Sequence, residues 1–206
     1  GWGLRNIFTR CDYTTSESQS YNYAIRASQG LGMQFIMVTD SDVSFFHPET
    51  ITKMYEFIRD TPKCGSIRPY REGESVQELS MPDIKYVDDG SGLLWRLGTG
   101  MMYDEEFLMT GWSDLDAGLE LEWRGYENYL DRRWPILHHR EGSNSHSKSS
   151  IIQAIKKHNK LLLDTKWFFV GRDKWNGVEA YNATVSPEQQ IPTLNQLVMY
   201  SNEDQE

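Results

Sequence analysis

Three groups of side chains in this sequence have the types and spacing to do chemistry. The first is Asp40-Ser41-Asp42, which directly follows the apolar run Met33, Phe35, Ile36, Met37 and Val38. Carboxylates that emerge from a buried strand are costly to desolvate unless a cation meets them. Two acids set two apart can share one ion, and Mg²⁺ or Mn²⁺ takes a few protein oxygens together with substrate phosphates. The second group is Asp114 and Asp116, behind Ser113. Acids in a first helical turn stabilise the helix dipole, and one that faces a ligand-binding edge is placed to act as a general base. The third is His138-His139, closing the apolar segment that starts at Trp134. Along a strand one ring of the pair points to the ligand edge and the other away, so one of them can complete a metal shell. Each group also has a plainer reading, as a capping turn, a capped helix start and a structural histidine.

The elements that must position these groups follow from periodicity. The apolar run ending at Val38, bounded by Gly32 and by acids, reads as a strand buried on both faces of a parallel sheet. Ligands of open α/β sheets sit beyond the carboxyl ends of such strands. A short strand is expected at Leu4 to Thr9. A helix from about Glu17 to Ser28 follows, capped by Thr14, Thr15 or Ser16, with Tyr21, Ala24, Ile25 and Ser28 on its packed face. Downstream, Pro48 opens a helix with the stripe Ile51, Met54, Tyr55 and Ile58. Strands are expected at Cys64 to Tyr70, near Ile84 to Val87, at Leu93 to Leu97, along Gly98 to Tyr103, and on either side of Pro135. Asp104 to Thr110 reads as a short helix. Ser113 opens another, with Leu115, Leu119 and Trp123 inward, and Ile151 to Leu163 is the last. The polar stretch 71–92 is an excursion of the kind that serves as a lid or acceptor loop.

Composition narrows the class. At 206 residues the chain suits a single domain, with a core over about 4–163 and an extension over 164–206. A net charge of −9 argues against a nucleic-acid partner bound through the bulk surface. Two cysteines, Cys11 and Cys64, without CxxC or a Cys/His cluster, fit a reducing, cytoplasmic setting. No apolar run reaches membrane-spanning length. Gly98-Thr99-Gly100 lacks the spacing of a dinucleotide or Walker loop, and GxSxG is missing, which removes the common hydrolase elbow.

Taken in order, these pieces resemble the inverting glycosyltransferases of the GT-A fold, especially the family-2 type. Tyr21-Asn22-Tyr23-Ala24-Ile25 is similar to that family's Asn-x-(Gly/Ala)-Ile element. Phe35 to Asp42 matches its strand ending in DxD, and Pro48 to Arg59 its following Pro-led helix. Gly98 to Phe107 resembles the donor and acceptor region. Gly111-Trp112 with Ser113-Asp114-Leu115-Asp116 resembles the Gly-Gly-Phe and Glu-Asp-x-Asp-Leu block, and Trp134 to His138 the strand ending in His. The likeness covers roughly residues 4–140. Ser113 stands where the family usually has Glu, and the family's opening strands do not precede Gly1, so the nucleotide-base site is expected to be missing or supplied elsewhere.

The resemblance implies an α/β, GT-A-like (Rossmann-like) fold with a mixed, mainly parallel sheet flanked by helices. It implies a divalent metal, Mn²⁺ or Mg²⁺, on Asp40 and Asp42 with His138 or His139. Donor contacts fall to Asn22, Arg26, Ser41 and Gly100, acceptor contacts to Trp112 and Asp116, and the catalytic base to Asp114. The expected activity is transfer of a sugar from a UDP- or GDP-sugar to a hydroxyl of a glycan, lipid-linked or protein acceptor. A non-catalytic GT-A-like module that binds sugar or protein, and a nucleotidyl transferase, are the competing expectations.

Overall fold

The computed structural model describes residues 16–40, 42–72, 92–108, 111–139, 150–193 and 196–197. The expected strands at Leu4 to Thr9 and Ile84 to Val87, together with Cys11 and Ser41, lie outside the described residues. The chain forms two compact units. Of the described residues, those within 21–103 and 114–139 belong to the first, and those within 16–20, 104–113 and 150–197 to the second.

Helix α1 (Glu17–Gly30) starts with a capping box. The Gln19 amide donates to Ser16 Oγ and the Ser16 amide to Gln19 Oε1, each at 3.2 Å. It ends where the amides of Met33 and Gly32 reach back to the carbonyls of Ser28 and Gln29, with Gly32 at φ +71°. That is a Schellman stop, which needs the left-handed backbone glycine adopts without cost.

The first unit is built on a five-stranded sheet. Its strands are β1 (Phe35–Val38), β2 (Val43–Phe45), β3 (Cys64–Arg71), β4 (Leu93–Arg96) and β5 (Glu127–His138), in the order β1-β4-β3-β5-β2. The sheet is mixed, as expected. Among the described strands only β3 and β5 are parallel neighbours, because β4 inserts antiparallel between β1 and β3. Since β1 and β3 both oppose β4, and β3 runs with β5, the three strands β1, β3 and β5 share one direction. Among the described residues β1 is an edge strand and only partly buried, not the doubly buried parallel strand expected.

That doubly buried role falls to β3, buried from Cys64 to Pro69. Its sequence hides this because small and partnered polar residues fill it. Gly65 has no room for a side chain, since a Cβ there would lie 2.9 Å from Tyr126 Cβ. The buried Ser66 hydroxyl donates to Asn128 Oδ1 at 2.7 Å. Strand β5 is continuous through Pro135. Its pairing with β3 jumps from Pro69↔Asp131 to Arg71↔Ile136, so Pro135 falls in a bulge where no ladder bond is asked of it. The Asp131 carboxylate steadies that bulge by accepting from Arg133 Nε and Nη2 at 2.9 and 2.8 Å.

Alternation along the strands divides the core into two layers. Val38, Leu93 and Trp95 face Ile25 of α1 and Ala117 and Leu121 of α3 (Ser113–Trp123). Leu94, Cys64 and Ile67 face Met54 and Ile58 of α2 (Thr50–Asp60). In α2, Ile51 is exposed and Thr50 buried instead. In α3 the inward residues are Ala117 and Leu121 with Asp116 and Glu120, whereas Trp123 is exposed. Arg96 ties α2 to the sheet, donating to the carbonyls of Ile58, Thr61 and Cys64 while its guanidinium lies 5.2 Å from the Phe35 ring centroid.

Two expected elements are replaced by segments that side chains hold. After β4 the chain makes a 3₁₀ turn over Leu97–Thr99 and then continues to Asp104 without regular secondary structure. The buried Asn22 amide group supplies the missing ladder, pairing with both the N–H and C=O of Tyr103 at 2.8 Å. In the second unit, Asp104 to Leu108 is a turn and not a helix. Asn159 of α4 (Ser150–Asp164) accepts from the Leu108 amide and donates to the carbonyls of Leu108 and Gly111. Lys166 meets Asp104 at 2.9 Å, and Glu106 accepts from the Val178 amide at 2.8 Å. These long-range bonds outbid a local helix.

Candidate metal centre

The shared direction of β1, β3 and β5 brings their carboxyl ends to one edge of the sheet. From that edge emerge Asp40 and Asp42 after β1, Arg71 at the end of β3, and His138 at the end of β5. The first and last strands in the sheet order are consecutive in sequence. Across a flat sheet of this order they would lie about 19 Å apart, whereas the link from Val38 to Val43 spans at most about 17 Å fully extended. The sheet is therefore curled, and its two edges approach each other where the acids sit. Strand β2 then pairs with β5, Val43 opposite His138, and the His139 amide donates to the Asp42 carbonyl at 2.7 Å.

The result is a three-residue cluster. His138 Nε2 lies 3.2 Å from Asp42 Oδ1 and 3.9 Å from Asp40 Oδ2. One ligand atom from each of Asp40, Asp42 and His138 falls within 4.8 Å of the others. Two carboxylate oxygens and an imidazole nitrogen at this spacing suit one divalent ion such as Mn²⁺, with coordination positions left for substrate oxygens. The donor set thus fits the expected metal. His139 does not join it. Its Nε2 meets Ser44 Oγ at 2.9 Å instead.

Arg71 is the member that sequence reasoning missed. Its Nη1 lies 3.3 Å from His138 Nδ1, on the side of the ring away from the acids. A guanidinium only donates, so Nδ1 accepts, and in the neutral ring the proton sits on Nε2 facing Asp42. Its position directly after the expected strand Cys64 to Tyr70 was the available signal.

The other expected site residues are distributed as follows. Asn22 is buried with its amide engaged by Tyr103. Arg26 is exposed on α1. Gly100 closes the 3₁₀ turn at φ +69°, and a Cβ there would lie 3.3 Å from Arg124 Nη1. Asp114 is half-buried in the first turn of α3, whereas Asp116 two residues on is fully buried and faces inward. Ser113 is buried and its hydroxyl caps nothing. Trp112, in the second unit, is exposed and holds φ +70°, the one non-glycine residue with positive φ among those described. Lys160 Nζ lies 5.6 Å from its ring centroid.

No family model matches the chain, and no curated protein matches its sequence. Solved structures do match its fold. One is a mannosyltransferase, PcManGT from Pyrobaculum calidifontis, in complex with GDP-Man and Mn²⁺, at 12% identity and a TM-score of 0.55. The match covers 90% of this chain and 49% of that one. Another is GalNAc-T7 with UDP, GalNAc and Mn²⁺, at 10% identity and a TM-score of 0.55, covering 92% of this chain and 40% of that one. The chain therefore spans half or less of the length of these proteins. With a mixed sheet, helices on both faces and acids at its carboxyl edge, the first unit carries the fold of the GT-A glycosyltransferases.

Proposed function

We propose that this chain is a divalent-metal-dependent glycosyltransferase of the inverting, family-2 type, acting on a nucleotide-diphosphate sugar. The observation that carries the reading is the convergence of Asp40, Asp42 and His138 at the carboxyl edge of a GT-A sheet. These three residues would hold the ion. A divalent cation bound there supplies positive charge that stabilises the diphosphate as it leaves. Arg71, at the same edge, is assigned to donate to a diphosphate oxygen. Asp114 is assigned as the base. The acceptor oxygen bonds to the anomeric carbon as the bond from that carbon to the diphosphate oxygen breaks, and the acceptor proton passes to the Asp114 carboxylate. One displacement inverts the anomeric configuration.

The test pairs two variants. Calorimetric titration with GDP and UDP in the presence of Mn²⁺ should show binding that chelation abolishes and that Asp42→Asn lowers by about a hundredfold, the scale of losing a charged ligand. Asp114→Asn should keep that binding and lose transfer. Metal-independent nucleotide binding, or wild-type transfer by Asp114→Asn, overturns the assignment. Metal-dependent nucleotide binding with no hydrolysis or transfer from any donor sugar would instead mark a binding module.

A further inference from the structure

Helix α4 of the second unit does not end at Asp164 but runs on through a π-helical turn, Thr165–Phe169, closed by the Val170 amide on the Thr165 carbonyl at 2.9 Å. Its inner face is closed, with Ile155, His158, Leu162 and Thr165 buried. Its outer face follows the spacing Gln153, Lys157, Lys160, Asp164, Phe168, at steps of four, three, four and four. Phe168 and Phe169 are 69% and 73% exposed, the highest values among the large hydrophobics described. Rings that open have few neighbours in their own chain, so they protrude from the surface and line no groove. Lys160 joins this face to Trp112, which is itself exposed.

Charge separates this region from the rest of the molecule. Residues 150–175 contain six basic and two acidic side chains, in a chain of 21 basic and 30 acidic. Lys166 and Lys160 are paired with Asp104 and Asp164, while Lys157 and Lys174 are exposed. Scattered exposed hydrophobics need no explanation. Adjacent protruding phenylalanines beside a local cationic excess are different, because they combine the two terms that hold a peripheral protein on a lipid surface: apolar burial at the acyl boundary and attraction to anionic headgroups. A protein partner would need a pocket shaped to two convex rings, whereas a bilayer adapts to them.

We infer that the exposed Phe168 and Phe169, with the exposed Lys157 and Lys174 of the same segment, dock on a membrane surface that carries anionic lipid. The contact is independent of the metal centre and goes beyond the proposed reaction.

The experiment is flotation of the whole chain with phosphatidylcholine vesicles, with and without phosphatidylglycerol, in EDTA so that the metal centre plays no part. The wild type should float with the anionic vesicles, release as salt is raised, and partition weakly to pure phosphatidylcholine. Phe168→Ser with Phe169→Ser should lower partition by about tenfold or more, and Lys157→Glu with Lys174→Glu by a similar factor. All four positions are exposed, and unchanged thermal melting of each variant confirms an intact fold. Lack of partition by the wild type, or partition unaltered by the phenylalanine pair, overturns the inference. So does a dimer in sedimentation equilibrium that the same pair of substitutions dissolves, since a second copy would then be the occupant.

Discussion

Replacing Arg71 with Gln should move two affinities in opposite directions. The guanidinium donates to His138 Nδ1 at 3.3 Å, and in the neutral ring the proton then points from Nε2 to Asp42. An ion taken by Nε2 needs that lone pair, so the proton must move to Nδ1, where it meets another donor. Gln presents an acceptor oxygen at that position and removes a positive charge. A unit charge and a dication roughly 7 Å apart, across one imidazole ring, repel by about 1 kcal/mol in a water-like medium. Partners that orient a ligating histidine typically matter by about 10-fold or more. Arg71→Gln should therefore bind Mn²⁺ alone about tenfold more tightly. Under the role proposed for Arg71, the same change would also remove a charge-assisted hydrogen bond to a diphosphate, so GDP or UDP binding at saturating Mn²⁺ should weaken by about tenfold. Calorimetry, with free Mn²⁺ followed by its paramagnetic resonance, measures both. Unchanged or weaker Mn²⁺ binding by the variant refutes the tautomer argument. A nucleotide affinity that rises with the metal affinity refutes the diphosphate role.

Two further predictions concern the scaffold. Arg96→Met keeps the apolar stem but takes the guanidinium away from the carbonyls of Ile58 and Thr61 at the end of α2 and of Cys64 at the start of β3, and should cost about 2–4 kcal/mol in denaturant unfolding; a loss within error of zero would show that water replaces the guanidinium there. Burial holds the His158 imidazole below its ordinary value of 6.5, an effect that nearby backbone groups of Glu106 and Pro192 only partly offset. The unfolded chain then takes up a proton near pH 6.5 that the folded chain refuses, so stability is full above that pH and declines as pH falls towards the depressed folded value. His158→Gln should remove this share of the acid sensitivity, read as a smaller drop in melting temperature between about pH 7.5 and about pH 5.5, and an unchanged drop would place the sensitivity in other groups.

What was legible in the sequence follows from which residues report their own surroundings. The stripe Tyr21, Ala24, Ile25 and Ser28 is readable because one face of α1 packs on the sheet and the period shows it. Asp40, Asp42 and His138 stand out as candidates because the two acids follow β1 and the histidine closes β5, and ligands of this class of fold sit beyond strand ends. The choice between His138 and His139 was not readable, since it depends on the register Val43↔His138, which a neighbouring strand sets. Pairing was equally hidden, and so β1 looked central when β3 is. Gly65, Ser66 and Arg68 are polar or small by type and buried by partnership, a property no single-strand pattern encodes. Asn22 and Asn159 reveal the same difficulty from the other side. Each replaces an expected element by bonding backbone 81 or about 50 residues away.

The short link between β1 and β2 ties the length of the acidic turn to the register of the sheet. Residues 39–42 are the whole connection between the two edges of the curl, and β2 is locked to β5 immediately beyond it. One residue inserted at Thr39 would either slide β2 by one position, reversing which of its side chains face the core, or bow the turn outward and carry Asp40 away from His138. Lineages that drift in loop length should find this turn closed to insertion. The spacing of its two carboxylates would then be inherited as a property of the sheet.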